Sequence, residues 1–240
     1  MPGMNTPSTA GAQVLTAISS MATRAVLAEL ATGFEARHGV VVVIESVGGV
    51  DAARRVAAGE PFDLVLLASD ALDKLVAAGH VRPGRVDYVH SPVAIAVPAG
   101  APLPDVGSEA ALRAAVQSAS SIGYSSGPSG QHLLRLFDRW GLANELASRT
   151  VQAKPGVPVG SQVASGEVAL GFQQLSELQG LPGITIVGLL PPDCAFITTF
   201  SGGVATASLQ PDAARVFLAY LNSPGTADAK RRHGMDAVEG

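Results

Sequence analysis

The chain has 240 residues, of which 47% are hydrophobic and 15% are charged, enough for a buried core in one large or two small domains. A formal net charge of -4 excludes the basic surface expected of a protein that binds nucleic acid or acidic membranes. The single cysteine, Cys194, excludes an intrachain disulfide and a cysteine-based metal site.

The N-terminal segment Met1–Ser8 is predicted to be a short disordered lead rather than a secretory signal, because no lysine or arginine precedes Arg24 and no long apolar run precedes the first strand. No stretch approaches the roughly 18–20 apolar residues of a membrane span, so no membrane insertion is predicted. As written, the sequence predicts a cytoplasmic protein. A signal trimmed from the sequence would instead place it in the periplasm.

The first third of the chain alternates apolar strand-like runs with amphipathic helices. Strands are predicted over Val14–Ala17, Val40–Ile44 and Asp63–Ala68, and helices over Met21–His38, Asp51–Ala58 and Asp70–Ala78. The continuous β-branched run at Val40–Ile44 is typical of a strand buried on both faces of a parallel sheet. This βαβαβα order predicts an open parallel α/β lobe.

The alternation changes after the strand predicted over Val93–Val97, where the proline-rich segment Pro98–Pro104 begins. Later helices are predicted over Glu109–Ser118, Gln131–Trp140, Val159–Ser165, Asp212–Asn222 and Thr226–His233. Later strands are predicted over Ser121–Tyr124, Val168–Phe172, Ile184–Val187, Phe196–Thr199 and Gly203–Thr206. Two crossings between lobes, near His90–Val97 and Leu190–Ile197, make the first lobe discontinuous. Residues 1–92 plus 196–240 are predicted to form lobe 1, and residues 93–195 lobe 2, with a ligand cleft between them.

Serine and glycine residues cluster where three apolar runs meet predicted helices. Each junction offers free backbone N–H groups and the positive end of a helix dipole, which together favour a small anion. Simple helix caps and tight turns are the alternative. The candidate ligand-binding residues at these junctions are Ser19, Ser20, Gly48, Gly49, Ser125, Ser126, Ser129 and Gly130.

Four segments, Leu15–Ser20, Arg54–Leu64, Gly127–Gly130 and Gly166–Gln174, resemble the molybdate-binding branch of the type II periplasmic solute-binding proteins. The likeness extends from Val14 to about Arg232. It implies an α/β fold of two lobes, with a discontinuous first lobe and an interlobe cleft that closes on a small anion. It also implies that Ser19 is a ligand serine and that Gly127–Gly130 is the ligand turn of the second lobe.

The sequence departs from that family's pattern at two ligand positions. Gly48 and Gly49 stand where a serine hydroxyl is usual, and Gln173 or Gln174 stands where a tyrosine is usual. A missing hydroxyl enlarges the cleft, and a carboxamide both donates and accepts hydrogen bonds. We therefore expect an organic carboxylate rather than a tetrahedral oxyanion. A backbone amide near Val159 is a further candidate, with a rigid loop as its alternative.

Two main hypotheses for function remain, and neither needs a cofactor or a metal. The first is a solute-binding protein for a small organic carboxylate, which would work with an ABC permease only if exported. The second is a cytoplasmic isomerase of an unsaturated di- or tricarboxylic acid, because aconitate isomerase resembles this branch. A molybdate or tungstate receptor is a third.

No catalytic residue is assigned from the sequence. His132 and Tyr124 border the Ser125–Gly130 turn and are candidates for proton transfer. Arg24, Arg54 and Arg55 could pair with ligand carboxylates, although arginines on helices are more often solvated. Asp63 and Asp70 are predicted to fix a turn and a helix start, and Cys194 to be a small core residue.

Overall fold

Two groups of strands and helices build the protein, and the computed structural model describes them over residues 13–154 and 157–238. The predicted N-terminal lead lies outside these residues, as do Pro155 and Gly156 of the predicted rigid loop. The strands are β1 (Gln13–Ser20), β2 (Val40–Val47), β3 (Leu64–Ala68), β4 (Val86–Pro98), β5 (Ile122–Tyr124), β6 (Thr150–Gln152), β7 (Leu170–Gln174), β8 (Ile184–Leu189), β9 (Ile197–Val204) and β10 (Asp236–Ala237).

The helices alternate with these strands over most of the chain. They are α1 (Arg24–His38), α2 (Gly49–Ala57), α3 (Ser69–Ala77), α4 (Glu109–Ser118), α5 (Pro128–Arg139), α6 (Ala143–Leu146), α7 (Val159–Ala164), α8 (Leu175–Leu178), α9 (Pro211–Leu221) and α10 (Ala227–Arg232). Within the described residues, no helix combines the length and the apolar character needed to span a membrane.

The strands follow the order β2-β1-β3-β9-β4-β7-β5-β6, with β8 and β10 also paired to β4. β1 runs parallel to β2 and β3, and β5 runs parallel to β6 and β7. β4 pairs with β9 over Val86–Pro92 and with β7 and β8 from Val93 onward. One long strand thus passes from one lobe to the other. β9 then returns the chain to β3, which confirms a discontinuous first lobe; the exact lobe boundaries stay a prediction.

Each lobe buries apolar side chains on both faces of its strands. In β1, Leu15 faces the helices α1 and α9, and Ile18 faces α2 and α3. This is expected because side chains at odd and even positions of a strand point to opposite faces. In lobe 2, Ile95 packs with Phe137 and Phe172 on one face, whereas Ala94 packs with Val159 on the other.

The prediction that Val40–Ile44 is buried on both faces is wrong. β2 is the terminal strand in the sheet order, and Val43 is 56% exposed. A run of β-branched residues favours a strand wherever that strand lies, so composition alone did not distinguish an edge from the centre.

The two strands predicted at Phe196–Thr199 and Gly203–Thr206 form one strand, β9. The residues left between the two predicted strands, Phe200, Ser201 and Gly202, lie within it. At Gly202 a Cβ atom would lie 2.4 Å from Leu218 Cδ2 and 2.8 Å from Leu66 Cδ2. Glycine at this position allows a helix to pack closely on the strand.

The carboxylate of Asp63 connects three segments of lobe 1. Asp63 Oδ2 accepts hydrogen bonds from the backbone N–H of Thr16 at 2.9 Å and from Thr16 Oγ1 at 3.2 Å. Asp63 Oδ1 accepts one from Ser208 Oγ at 2.6 Å. The carboxylate therefore joins β1, the start of β3 and the segment after β9, in agreement with its predicted structural role.

Replacement of this carboxylate should destabilise the fold. Asp63→Ala leaves the Thr16 amide and the Ser208 hydroxyl without their acceptor, so the free energy of unfolding is expected to fall by about 2–4 kcal/mol in urea denaturation. The matched control is Asp212→Ala, because in the described part of the chain the Asp212 carboxylate contacts an exposed partner, Arg215, in an ion pair. Its loss should cost about 0–1 kcal/mol. Equal effects of the two substitutions would contradict the role given to Asp63.

Candidate functional site

A cleft of about 550 Å³ lies between the lobes. This volume is within the range typical of sites for small organic ligands. Its walls are the segments that follow β1, β2 and β3 in lobe 1, and β5, β6 and β7 in lobe 2. The carboxyl ends of parallel strands therefore face each other across the cleft, as expected for open α/β sheets.

On the lobe 1 side, Ser20, Gly48 and Gly49 line the cleft. Gly48 has φ −56° and ψ 134°, which any residue can adopt, and no described atom lies within 4 Å of the position of a Cβ on it. A Cβ on Gly49 would meet only Ser20 Oγ and Cβ, at 3.8 and 4.0 Å. Neither backbone strain nor protein packing requires glycine here. The free space around both Cβ positions indicates that Gly48 and Gly49 leave room for a ligand, rather than being needed for a tight turn.

On the lobe 2 side, Ser125, Ser126 and Ser129 line the cleft at the start of α5. Ser125 Oγ and Ser129 Oγ lie 3.0 Å apart, and Ser125 Oγ accepts a hydrogen bond from the backbone N–H of Gly127 at 3.3 Å. The Ser126 hydroxyl makes no hydrogen bond within residues 13–154 and 157–238, which leaves it available to a ligand.

Three of the residues predicted to bind ligand do not line the cleft. Ser19 is fully buried, with Oγ 2.7 Å from Ser46 Oγ, because it points to the opposite face of β1 from Ser20. At Gly130 a Cβ would lie 1.8 Å from the carbonyl oxygen of Ser125, so this glycine permits the turn itself. The Val159 side chain lies in the core of lobe 2, and its neighbour Pro158 lines the cleft instead.

Gln173 and Gln174 both border the cleft, but their side chains have different partners. Gln174 accepts a hydrogen bond from Thr198 Oγ1 at 2.6 Å and donates to Ser91 Oγ at 3.0 Å, with its amide oriented to satisfy both contacts. Ser91 lies on β4 and Thr198 on β9, so Gln174 connects two strands that pass between the lobes. Its amide is occupied by the protein.

Gln173 belongs to a second chain of hydrogen bonds. Its Oε1 accepts from the backbone N–H of Gly160 at 3.1 Å, and its Nε2 donates to Glu177 Oε1 at 2.9 Å. Glu177 lies in α8 and lines the cleft. Burial raises the pKa of Glu177 to about 7, although the hydrogen bond from Gln173 lowers it.

Glu177 was not predicted from the sequence, because α8, with four residues, is too short to show helical periodicity. The available signal was an acidic residue three positions after Gln174, a predicted ligand-binding residue. Its unusual environment arises from tertiary packing.

Several charged side chains rim the cleft. Arg54, Lys74 and Lys154 line it with His80, and Asp70 is the other acidic residue there. The three cationic side chains outnumber the lining carboxylates Asp70 and Glu177 by one, which favours an anionic ligand. Arg54 also pairs with Asp51.

Other sequence candidates lie away from the cleft. Arg55 pairs with Glu45 and Glu60, and Arg24 lines a separate depression beside β2. His132 Nε2 lies 3.0 Å from the Cys194 carbonyl oxygen, and burial lowers the pKa of this histidine.

Tyr124 packs against the core of lobe 2 and does not line the cleft. Burial raises the pKa of the Cys194 thiol, which disfavours the thiolate needed for nucleophilic attack. In the described part of the chain, no group of three His, Cys, Asp or Glu residues is placed to hold a metal ion.

Comparisons with known proteins agree with this architecture. The family model described as bacterial extracellular solute-binding protein matches residues 15–236. Aconitate isomerase from a Pseudomonas species is 41% identical over 231 residues, covering 93% of this chain and 88% of that protein.

Solved structures of several binding proteins share the fold. The periplasmic molybdate-binding protein of Azotobacter vinelandii has a TM-score of 0.77 at 22% identity, covering 94% of this chain and 99% of that one. The sulfate-binding protein of Mycobacterium tuberculosis has a TM-score of 0.76 at 17% identity, covering 95% and 88%. At these identities the likeness shows the fold alone. The chain belongs to the bacterial extracellular solute-binding protein family and has the two-lobed α/β fold of type II periplasmic binding proteins.

Proposed function

We propose that this chain is a cofactor-free isomerase that binds an unsaturated di- or tricarboxylate between its lobes and shifts its double bond. The observation that carries the ligand class is the free space in front of Gly48 and Gly49, opposite the Ser125–Ser129 hydroxyls. A tetrahedral oxyanion needs close donors on all sides, whereas this space suits a longer, flatter anion. The 41% identity to aconitate isomerase supports turnover.

The cleft contains the groups that allylic isomerisation requires. Hydroxyls of Ser20 and Ser126 and backbone N–H groups at the starts of α2 and α5 can hold carboxylates of the ligand. The same donors stabilise negative charge that spreads onto a carboxylate when a neighbouring C–H bond loses its proton. The cations Arg54, Lys74 and Lys154 suit the remaining carboxylates.

A second candidate function is that of a receptor that binds the same ligand without changing it. The family match favours this alternative, and the fold is shared with proteins named for molybdate and sulfate binding. Such a receptor would work outside the inner membrane with an ABC permease. The isomerase needs no permease, and we propose the cytoplasm as its compartment.

Binding and turnover together distinguish these functions. Thermal shift would be measured with cis-aconitate, trans-aconitate, saturated tricarboxylates, molybdate, tungstate and sulfate. Any aconitate that binds would then be followed by proton NMR in D₂O. The isomerase should interconvert the two aconitates and incorporate deuterium at carbon. Binding without exchange would establish the receptor, and a shift with molybdate or tungstate alone would overturn the carboxylate assignment.

The Gly48→Ala variant tests the space in the cleft. The added methyl group meets no described protein atom, and the backbone angles suit alanine, so the free energy of unfolding should stay within about 1 kcal/mol of the original. Because the methyl group enters the ligand's space, affinity for aconitate should fall at least about tenfold, or by about 1.4 kcal/mol.

The matched control is Gly225→Ala, since Gly225 also has free space around its Cβ position and lies in the turn before α10. Calorimetric titration should show unchanged affinity for this variant. Wild-type affinity in Gly48→Ala would mean that the ligand does not occupy the space beside Gly48.

A further inference from the structure

We infer that Glu177 is the residue that carries the proton in this cleft, and that Gln173 is its positioning residue. This assignment rests on the proposed isomerase function. Among the residues that the structure describes, two carboxylates line the cleft, Glu177 and Asp70. Asp70 is exposed on α3, whereas Glu177 is partly enclosed in α8, directly after the end of β7.

The hydrogen bonds fix the orientation of the Glu177 carboxyl. Since the backbone N–H of Gly160 donates to Gln173 Oε1, the amide group of Gln173 must direct its NH₂ toward Glu177. One oxygen of Glu177, Oε1, is thereby held by a donor. The other, Oε2, makes no hydrogen bond within residues 13–154 and 157–238, so it is the atom available to exchange a proton with a ligand.

The protonation state suits this role. With a pKa of about 7, Glu177 is present both as carboxylate and as carboxylic acid near neutral pH. This is the condition for efficient proton transfer in both directions. The other charged or titratable groups lining the cleft are Arg54, Asp70, Lys74, His80 and Lys154. In the described residues, none of them forms a hydrogen bond or ion pair with Glu177.

The reaction needs this one carboxyl group and no co-reactant. The Glu177 carboxylate removes a proton from the methylene group next to the double bond: the C–H bond breaks, an O–H bond forms, and the electron pair spreads through the conjugated system onto a carboxylate. The double bond then forms between the neighbouring carbon pair. The Glu177 O–H exchanges its hydrogen with solvent and then breaks as a proton, or a deuteron in D₂O, is delivered to the other end of the allylic system, which restores the carboxylate and leaves no net oxidation.

Glu177→Gln tests the assignment with a side chain of nearly the same shape. Thermal shift with trans-aconitate should remain close to that of the original protein, whereas isomerisation and deuterium incorporation should fall by about 10²–10⁴-fold. The matched control is Glu35→Gln, on the exposed surface of α1, which should retain full activity. If Glu177→Gln isomerises aconitate at the rate of the original protein, the assignment of Glu177 is wrong and the isomerase function stands. A wild-type protein that binds but never isomerises aconitate would overturn both.

Gln173→Leu tests the positioning role and serves as the second variant if Glu177→Gln does not fold. Loss of the donor should raise the pKa of Glu177 further, so the pH at which kcat/KM reaches half its maximum should move upward from its value in the original protein. A purely structural defect would lower activity at every pH without moving this midpoint, and that result would contradict the positioning role.

The stability of Glu177→Gln supplies a readout that is independent of turnover. A carboxyl whose pKa is higher in the folded state than in the unfolded state destabilises the fold increasingly as pH rises from about 4.3 toward 7. The Tm of Glu177→Gln minus the Tm of the original protein should therefore be larger at pH 8 than at pH 5. An equal difference at both pH values would show that the Glu177 carboxyl has an ordinary pKa, and would contradict its role as both base and acid near neutral pH.

Discussion

Parallel pairing of strands is the constraint on which the cleft depends. Because β1 lies parallel to β2 and β3, and β5 parallel to β6 and β7, the carboxyl ends of each set meet at one edge of its lobe. Each of these strand ends leads into a segment that lines the cleft. The anion donors, the cationic rim and Glu177 therefore come from residues far apart in sequence, brought together by sheet topology rather than by a local motif.

The features that could be predicted from the sequence are those set by local composition. Serine and glycine residues at strand-to-helix junctions identified the turns at Ser20, Gly48 and Ser125–Ser129, since backbone donors at a helix start are a property of the junction itself. The alternation of elements and the resemblance to a known family predicted the two-lobed fold. The side of β1 on which Ser19 or Ser20 would lie depends on how the strand faces its neighbours, which the sequence does not show.

Tertiary packing determined the rest. The edge position of β2 depends on which strands reach β1, and the enclosed environment of Glu177 depends on α7, β7 and α8 meeting. Gln173 and Gln174 illustrate the same limit. The sequence presented them as interchangeable candidates for a ligand donor, yet consecutive strand residues face opposite ways, so one connects strands between the lobes and the other orients a carboxyl group.

The sharing of β4 between the lobes has a thermodynamic consequence. The strand pairs with β9 in its first half and with β7 and β8 in its second, so neither lobe possesses all of its strands independently. Unfolding of lobe 2 would remove the partners that hold the second half of β4 in place, and disorder would extend along the same backbone into lobe 1. We therefore expect the two lobes to unfold as one cooperative unit, in which damage to the core of either lobe lowers the stability of both.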